Sequence, residues 1–114
     1  MHTWIMAVLF LFASGPVFAL SEPAREFMAI NEKLEPVQCE KRKLRRELAL
    51  AEVERRDADV RALRERFAAL DRDPQTAKLE RRLAELQPRL ERSSDPEDLS
   101  AINRQRVEAF YRCG

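Results

Sequence analysis

The sequence is poor in the residues that most proteins use for turning and for catalysis. It has two glycines, Gly15 and Gly114, so no position between them carries the residue best suited to a left-handed turn. Reversals there must be built from Asp, Ser and Pro. Histidine occurs once, at position 2, which removes the commonest general base and metal ligand from the rest of the chain. Without interior glycine there is no phosphate-cradling loop. The carboxylates stand beside arginines, and Ser93 and Ser94 read as helix-capping residues with no base partner. These absences argue against an enzyme, a metal centre or a bound cofactor. The apolar run Trp4–Ala13 also falls short of the roughly 20 residues that cross a bilayer.

That run has the length of a signal h-region, and Gly15-Pro16 breaks it. Val17-Phe18-Ala19 offers modest or small side chains where a signal peptidase reads, so residues 1–19 are expected to be a signal peptide cleaved after Ala19. The alternative is an uncleaved anchor in the inner membrane, because the n-region Met1-His2-Thr3 is nearly chargeless. Residue 20 is leucine, so no cysteine follows the cleavage point to carry a lipid.

What is abundant is charge: 21 Lys and Arg against 20 Asp and Glu, a net of +1. Residues 20–114 are too salty for a wide core and suit elongated helices with narrow apolar seams. Helix starts are marked by Ser21-Glu22-Pro23, Asp73-Pro74 and Asp95-Pro96-Glu97-Asp98, where a capping side chain precedes proline in the first turn. Pro36 is expected to end or kink the first helix and Pro88 to kink a later one. The expected fold is all-α, one domain at 20–114 with helices at about 22–34, 37–71, 75–92 and 96–113.

Periodicity agrees. Phe27, Ile30, Leu34, Val37, Leu44, Leu48 and Ala51 alternate by threes and fours, with Lys41 filling one seam position. Val53, Val60, Leu63, Phe67 and Leu70 continue in a shifted phase, and the face rotates across Leu48–Ala51. Leu79, Leu83, Leu86 and Leu90 form a third seam, while Leu99, Ile102, Val107 and Phe110 give the last helix a looser face.

Cys39 and Cys113 are the only cysteines, and in an exported chain an even count suggests a disulfide. The helical path from Cys39 to Asp73 is roughly 50 Å at about 1.5 Å per residue, and the return from Pro74 is similar. An antiparallel hairpin turned at Asp71–Pro74 would therefore bring the two cysteines together; an intermolecular bridge is the alternative. Nothing resembles Cys-x-x-Cys, so a redox role is disfavoured.

Next to Cys39 lies a basic cluster, Lys41, Arg42, Lys43, Arg45 and Arg46. On a helix it forms a belt able to meet an acidic protein, anionic lipid headgroups or a polyanion. Against this stands a solvated face neutralised by neighbouring acids, with Glu108 a candidate. Nucleic acid is not expected, as no aromatics interleave with the basic residues. Over Glu80–Arg106 the charged helical texture resembles the periplasmic helical chaperones and metal-resistance sensors of bacteria. Their Leu-Thr-x-x-Gln type motif and metal-binding histidines are missing, so no activity carries over. The expected role is a non-enzymatic interaction protein of the bacterial periplasm or cell envelope, or a secreted one: an adaptor, chaperone-like binder or assembly subunit; the alternatives are a membrane-anchored structural coiled coil that keeps its N-terminal segment, and a binder of anionic lipid or polyanion through the belt at 41–46. Its partner would be another exported protein, or a second copy through helix faces, with a membrane surface as the further option.

Overall fold

The computed structural model describes residues 20–114; the expected signal peptide lies outside the described residues. The described residues form four helices, α1 Glu22–Val53, α2 Asp57–Arg72, α3 Pro74–Ser93 and α4 Pro96–Cys113. Among the described residues there is no strand.

Each expected start signal makes its cap. The Ala24 N–H donates to Ser21 Oγ at 3.2 Å, that of Thr76 to Asp73 Oδ2 at 2.9 Å, and that of Glu97 to Asp95 Oδ1 at 2.9 Å. Each satisfies a donor that the first turn would otherwise leave open, worth about 1 kcal/mol. Prolines 23, 74 and 96 follow in the first turn, where a missing N–H costs nothing.

Helix boundaries depart from the sequence reading in two linked ways. Pro36 does not end the first helix; α1 runs through it to Val53. Its ring lies on the solvent side, as does Glu32, whose carbonyl loses its N–H partner. Water can serve that carbonyl, and bending away from an outer proline wraps the helix around its neighbours. The break comes instead at residues 54–56, inside the stretch expected to be one helix over 37–71. Arg55 adopts a left-handed φ of 56°. The Arg56 N–H reaches back to the Ala51 carbonyl at 2.9 Å and that of Arg55 to Glu52 at 3.2 Å, the double closure of a Schellman turn. The position usually held by glycine is held by arginine.

This moves the chain reversal. The expected hairpin turned at Asp71–Pro74 is replaced by one turned at 54–56, so that α2 runs antiparallel to the second half of α1, with Arg64 paired to Glu52 and Arg66 to Glu40. Asp73, in extended conformation, is the single residue between α2 and α3. α3 carries on antiparallel to the first half of α1, where Arg82 grips Glu26 at 2.6 and 2.9 Å. Ser94, left-handed at φ 50°, and Asp95 then turn the chain into α4, which lies parallel to α1. Asp98, 1% exposed, accepts from the Ser21 N–H and hydroxyl at 3.0 and 2.5 Å and pins this end.

Two apolar clusters result. One joins Ala24, Phe27, Ile30 and Leu34 of α1 to Leu86, Leu90 and Ile102; the other joins Leu44 and Ala51 to Leu63, with Leu48, Val60, Phe67 and Leu70 at its edge. The three-four seams of α1 and α3 are thus the buried lines. Val53 departs from its seam and is 81% exposed, because the helix ends there and the turn carries it outside. Between the clusters, where α2 gives way to α3, Lys41 occupies its seam position.

Candidate functional site

The cysteines form an intramolecular disulfide with Cα atoms 5.5 Å apart. Cys39 lies in the middle of α1 and Cys113 at the end of α4, so the bond ties α4 to the spine. Whatever stands one helical turn from either cysteine becomes a neighbour. On α1 that residue is Arg42, and on α4 it is Phe110. The Arg42 guanidinium sits over the Phe110 ring at 5.5 Å from its centroid, and Tyr111 meets Phe110 edge-to-face at 5.6 Å. Both rings remain open to solvent, at 60% and 77%.

Arg45 and Arg46 complete an open cleft of about 420 Å³ with Arg42, Phe110, Tyr111, Cys113 and Gly114. No carboxylate side chain lines it, and none of the three arginines takes part in an ion pair among the described residues. Arg42 Nη1 is buried and has no hydrogen-bond partner among the described residues. Desolvated guanidinium donors of this kind are costly to leave unmatched.

The belt expected at 41–46 is therefore divided. Lys41 is not on the surface: it is buried, bonds Asp71 and also Glu80 at 2.9 Å, and lies 5.5 Å from the Phe67 centroid. Burial pulls its ammonium down, yet the two carboxylates outweigh this and hold it above the ordinary lysine value. Arg45 leans to the Phe67 ring at 5.2 Å. Arg42 and Arg46 face the cleft, and Lys43 is exposed outside it. Glu108 does not neutralise the belt; it stands 4.0 Å from Arg112, which makes a bidentate pair with Glu35 at 2.8 and 3.1 Å. The Arg112 hydrogen bond holds the Glu35 carboxyl below its usual range.

Sequence reading missed the aromatic half of this site. The signal was there once the cysteines were paired, since each cysteine's neighbours three residues away must then face each other. Phe110 instead read as part of a core seam.

The site offers arginine donors, two aromatic faces and a wall of disulfide, without a paired acid and base. Among the described residues no group of His, Cys, Asp and Glu is placed to hold a metal ion, and no helix is long and apolar enough to cross a membrane. The chain matches no protein-family model, no curated protein and no solved structure.

Proposed function

We propose that this chain is an exported, non-enzymatic helical interaction protein of the bacterial periplasm or cell envelope, which binds another protein through the cleft between Arg42 and Phe110. One observation carries the reading: two exposed aromatic rings are held by the disulfide beside three arginines that take part in no ion pair among the described residues. Arginine, tyrosine and phenylalanine are the side chains enriched where proteins dock, and they carry most binding energy when a partner completes their desolvation. The intramolecular disulfide supports an oxidising compartment. Binding to anionic lipid or a polyanion is the weaker reading, because Lys41 is taken into the interior and Lys43 stands outside the cleft, which leaves a smaller basic surface than five adjacent cations would make.

The test is a photo-reactive benzoylphenylalanine at Tyr111 in the full chain, expressed in its native host. A covalent adduct with one other exported protein, lost when Phe110→Ala removes the ring beside it, is the expected result. Recovery of monomer alone under irradiation contradicts the proposal.

A further inference from the structure

α4 follows α1 in constant register. Ser21 meets Asp98, the Met28 carbonyl accepts from Gln105, and Glu35 pairs with Arg112, each at a separation of 77. Asn31 with Gln105, and Cys39 with Cys113, are separated by 74. Along α1 and its N-cap the positions in contact, 21, 28, 31, 35 and 39, advance by sevens or by threes and fours, the spacing that keeps one line of a helix turned toward a neighbour. α4 stops at Cys113, opposite Cys39, whereas α1 continues to Val53.

The same spacing carries this line onto Arg42, Arg46, Ala49 and Val53, with Leu50 beside it. All but Arg42 are exposed, Leu50 at 54% and Val53 at 81%. α2 leaves Arg46, Ala49 and Val53 uncovered because it packs on the opposite face, through Leu44, Leu48 and Ala51, and borders the track only at Leu50. From Cys39 to Val53 the uncovered track is roughly 21 Å long at about 1.5 Å per residue, nearly four helical turns. Its near end is the arginine cleft, which no acidic side chain lines, and its far end is apolar.

We infer that this track takes an amphipathic helix of a partner protein, acidic at one end and apolar at the other, lying along α1 between the disulfide and Val53. This rests on the reading of the chain as an interaction protein. Charge complementarity selects the occupant: carboxylates would meet the guanidinium groups of Arg42 and Arg46, which take part in no ion pair among the described residues, while apolar side chains cover Ala49, Leu50 and Val53. A second copy fits poorly, since antiparallel pairing of two such tracks sets each Arg42 against the other's Val53 and leaves the arginines without carboxylates.

The test uses the disulfide-bonded chain and a fluorescein-labelled synthetic helix of about 18 residues, long enough to cover the track. It has a leucine-alanine seam and three glutamates in its first two turns; a control replaces those glutamates with glutamine. The glutamate peptide should bind about tenfold or more tightly than the control and weaken as salt rises. Arg46→Glu and Val53→Asp, both at exposed positions, should each weaken it by about tenfold with unchanged circular dichroism. A lysine version of the peptide should regain affinity for Arg46→Glu. Equal binding of the two peptides, or indifference to Val53→Asp, overturns the proposal. So does tighter binding to phosphatidylglycerol vesicles than to the glutamate peptide, or a concentration-dependent dimer abolished by Val53→Asp. Photo-reactive residues at Tyr111 and Val53 separate the two levels. Adducts to one protein from both positions support the track, and adducts from Tyr111 alone overturn it while keeping the cleft; adducts from neither overturn both.

Discussion

Arg55 and Ser94 hold left-handed backbone at turns that glycine would ordinarily make. An L-residue there costs about 1–2 kcal/mol, whereas glycine gives back roughly 0.5–1 kcal/mol through greater freedom of the unfolded chain. The strain exceeds the entropy, so Arg55→Gly should raise stability by about 0.5–1 kcal/mol in urea unfolding. Lys41 presents the opposite case, a charge held inside by two acids that are themselves partly in water, at 48% and 37% side-chain exposure. Lys41→Met removes the buried charge and lets Asp71 and Glu80 rehydrate, so it should cost less than about 1 kcal/mol. The double change Asp71→Asn with Glu80→Gln strands the ammonium and should cost about 3 kcal/mol. Because the folded Lys41 titrates above its ordinary 10.5, its contribution is complete below that pH and fades as pH rises through the folded value. The urea midpoint should fall in that alkaline window, and Lys41→Met should flatten the fall. Lysine in the seam was visible in the sequence; the acids that receive it, 30 and 39 residues away, were not.

At the scale of the element, the helix starts were legible because a cap and a first-turn proline are local chemistry. The break at 54–56 was not, since the strongest local signal for a helix end, glycine, is missing and a proline stood nearer. Pro36 misleads because its cost depends on which side of the helix it faces, and the neighbours decide that. α4 is held by little apolar burial: Ile102 is its one buried apolar side chain, while Leu99, Val107, Phe110 and Tyr111 stay exposed. Its hold therefore rests on Asp98, Gln105, Arg112 and the disulfide. By loop entropy, closure over a separation of 74 residues contributes about 4 kcal/mol. Replacing both cysteines with serine should lower stability by about that amount. Hydrogen exchange should show the loss of protection first in α4, while α1 and α2 near Leu44, Ala51 and Leu63 keep theirs.

For the whole molecule, intact-mass measurement of the exported chain is expected to give an N-terminus at Leu20 and a gain of two hydrogens on reduction. A mass retaining residues 1–19 would favour the anchored alternative, and a covalent dimer would contradict the intramolecular bridge. Leu20 adjoins Ser21, which Asp98 clamps, so the described fold keeps its first cap when everything before Leu20 is removed. The sequence by itself determined the all-helical class, the caps and the apolar lines of α1 and α3, because these follow from interactions within a few residues. It also paired the cysteines, though through a hairpin turned at the wrong place. Only the tertiary structure decided where the chain reverses, that Lys41 belongs to the interior, and that Phe110 and Tyr111 stand beside Arg42. Those outcomes depend on which distant faces meet, and neither periodicity nor composition encodes the direction in which a helix face finds its neighbour.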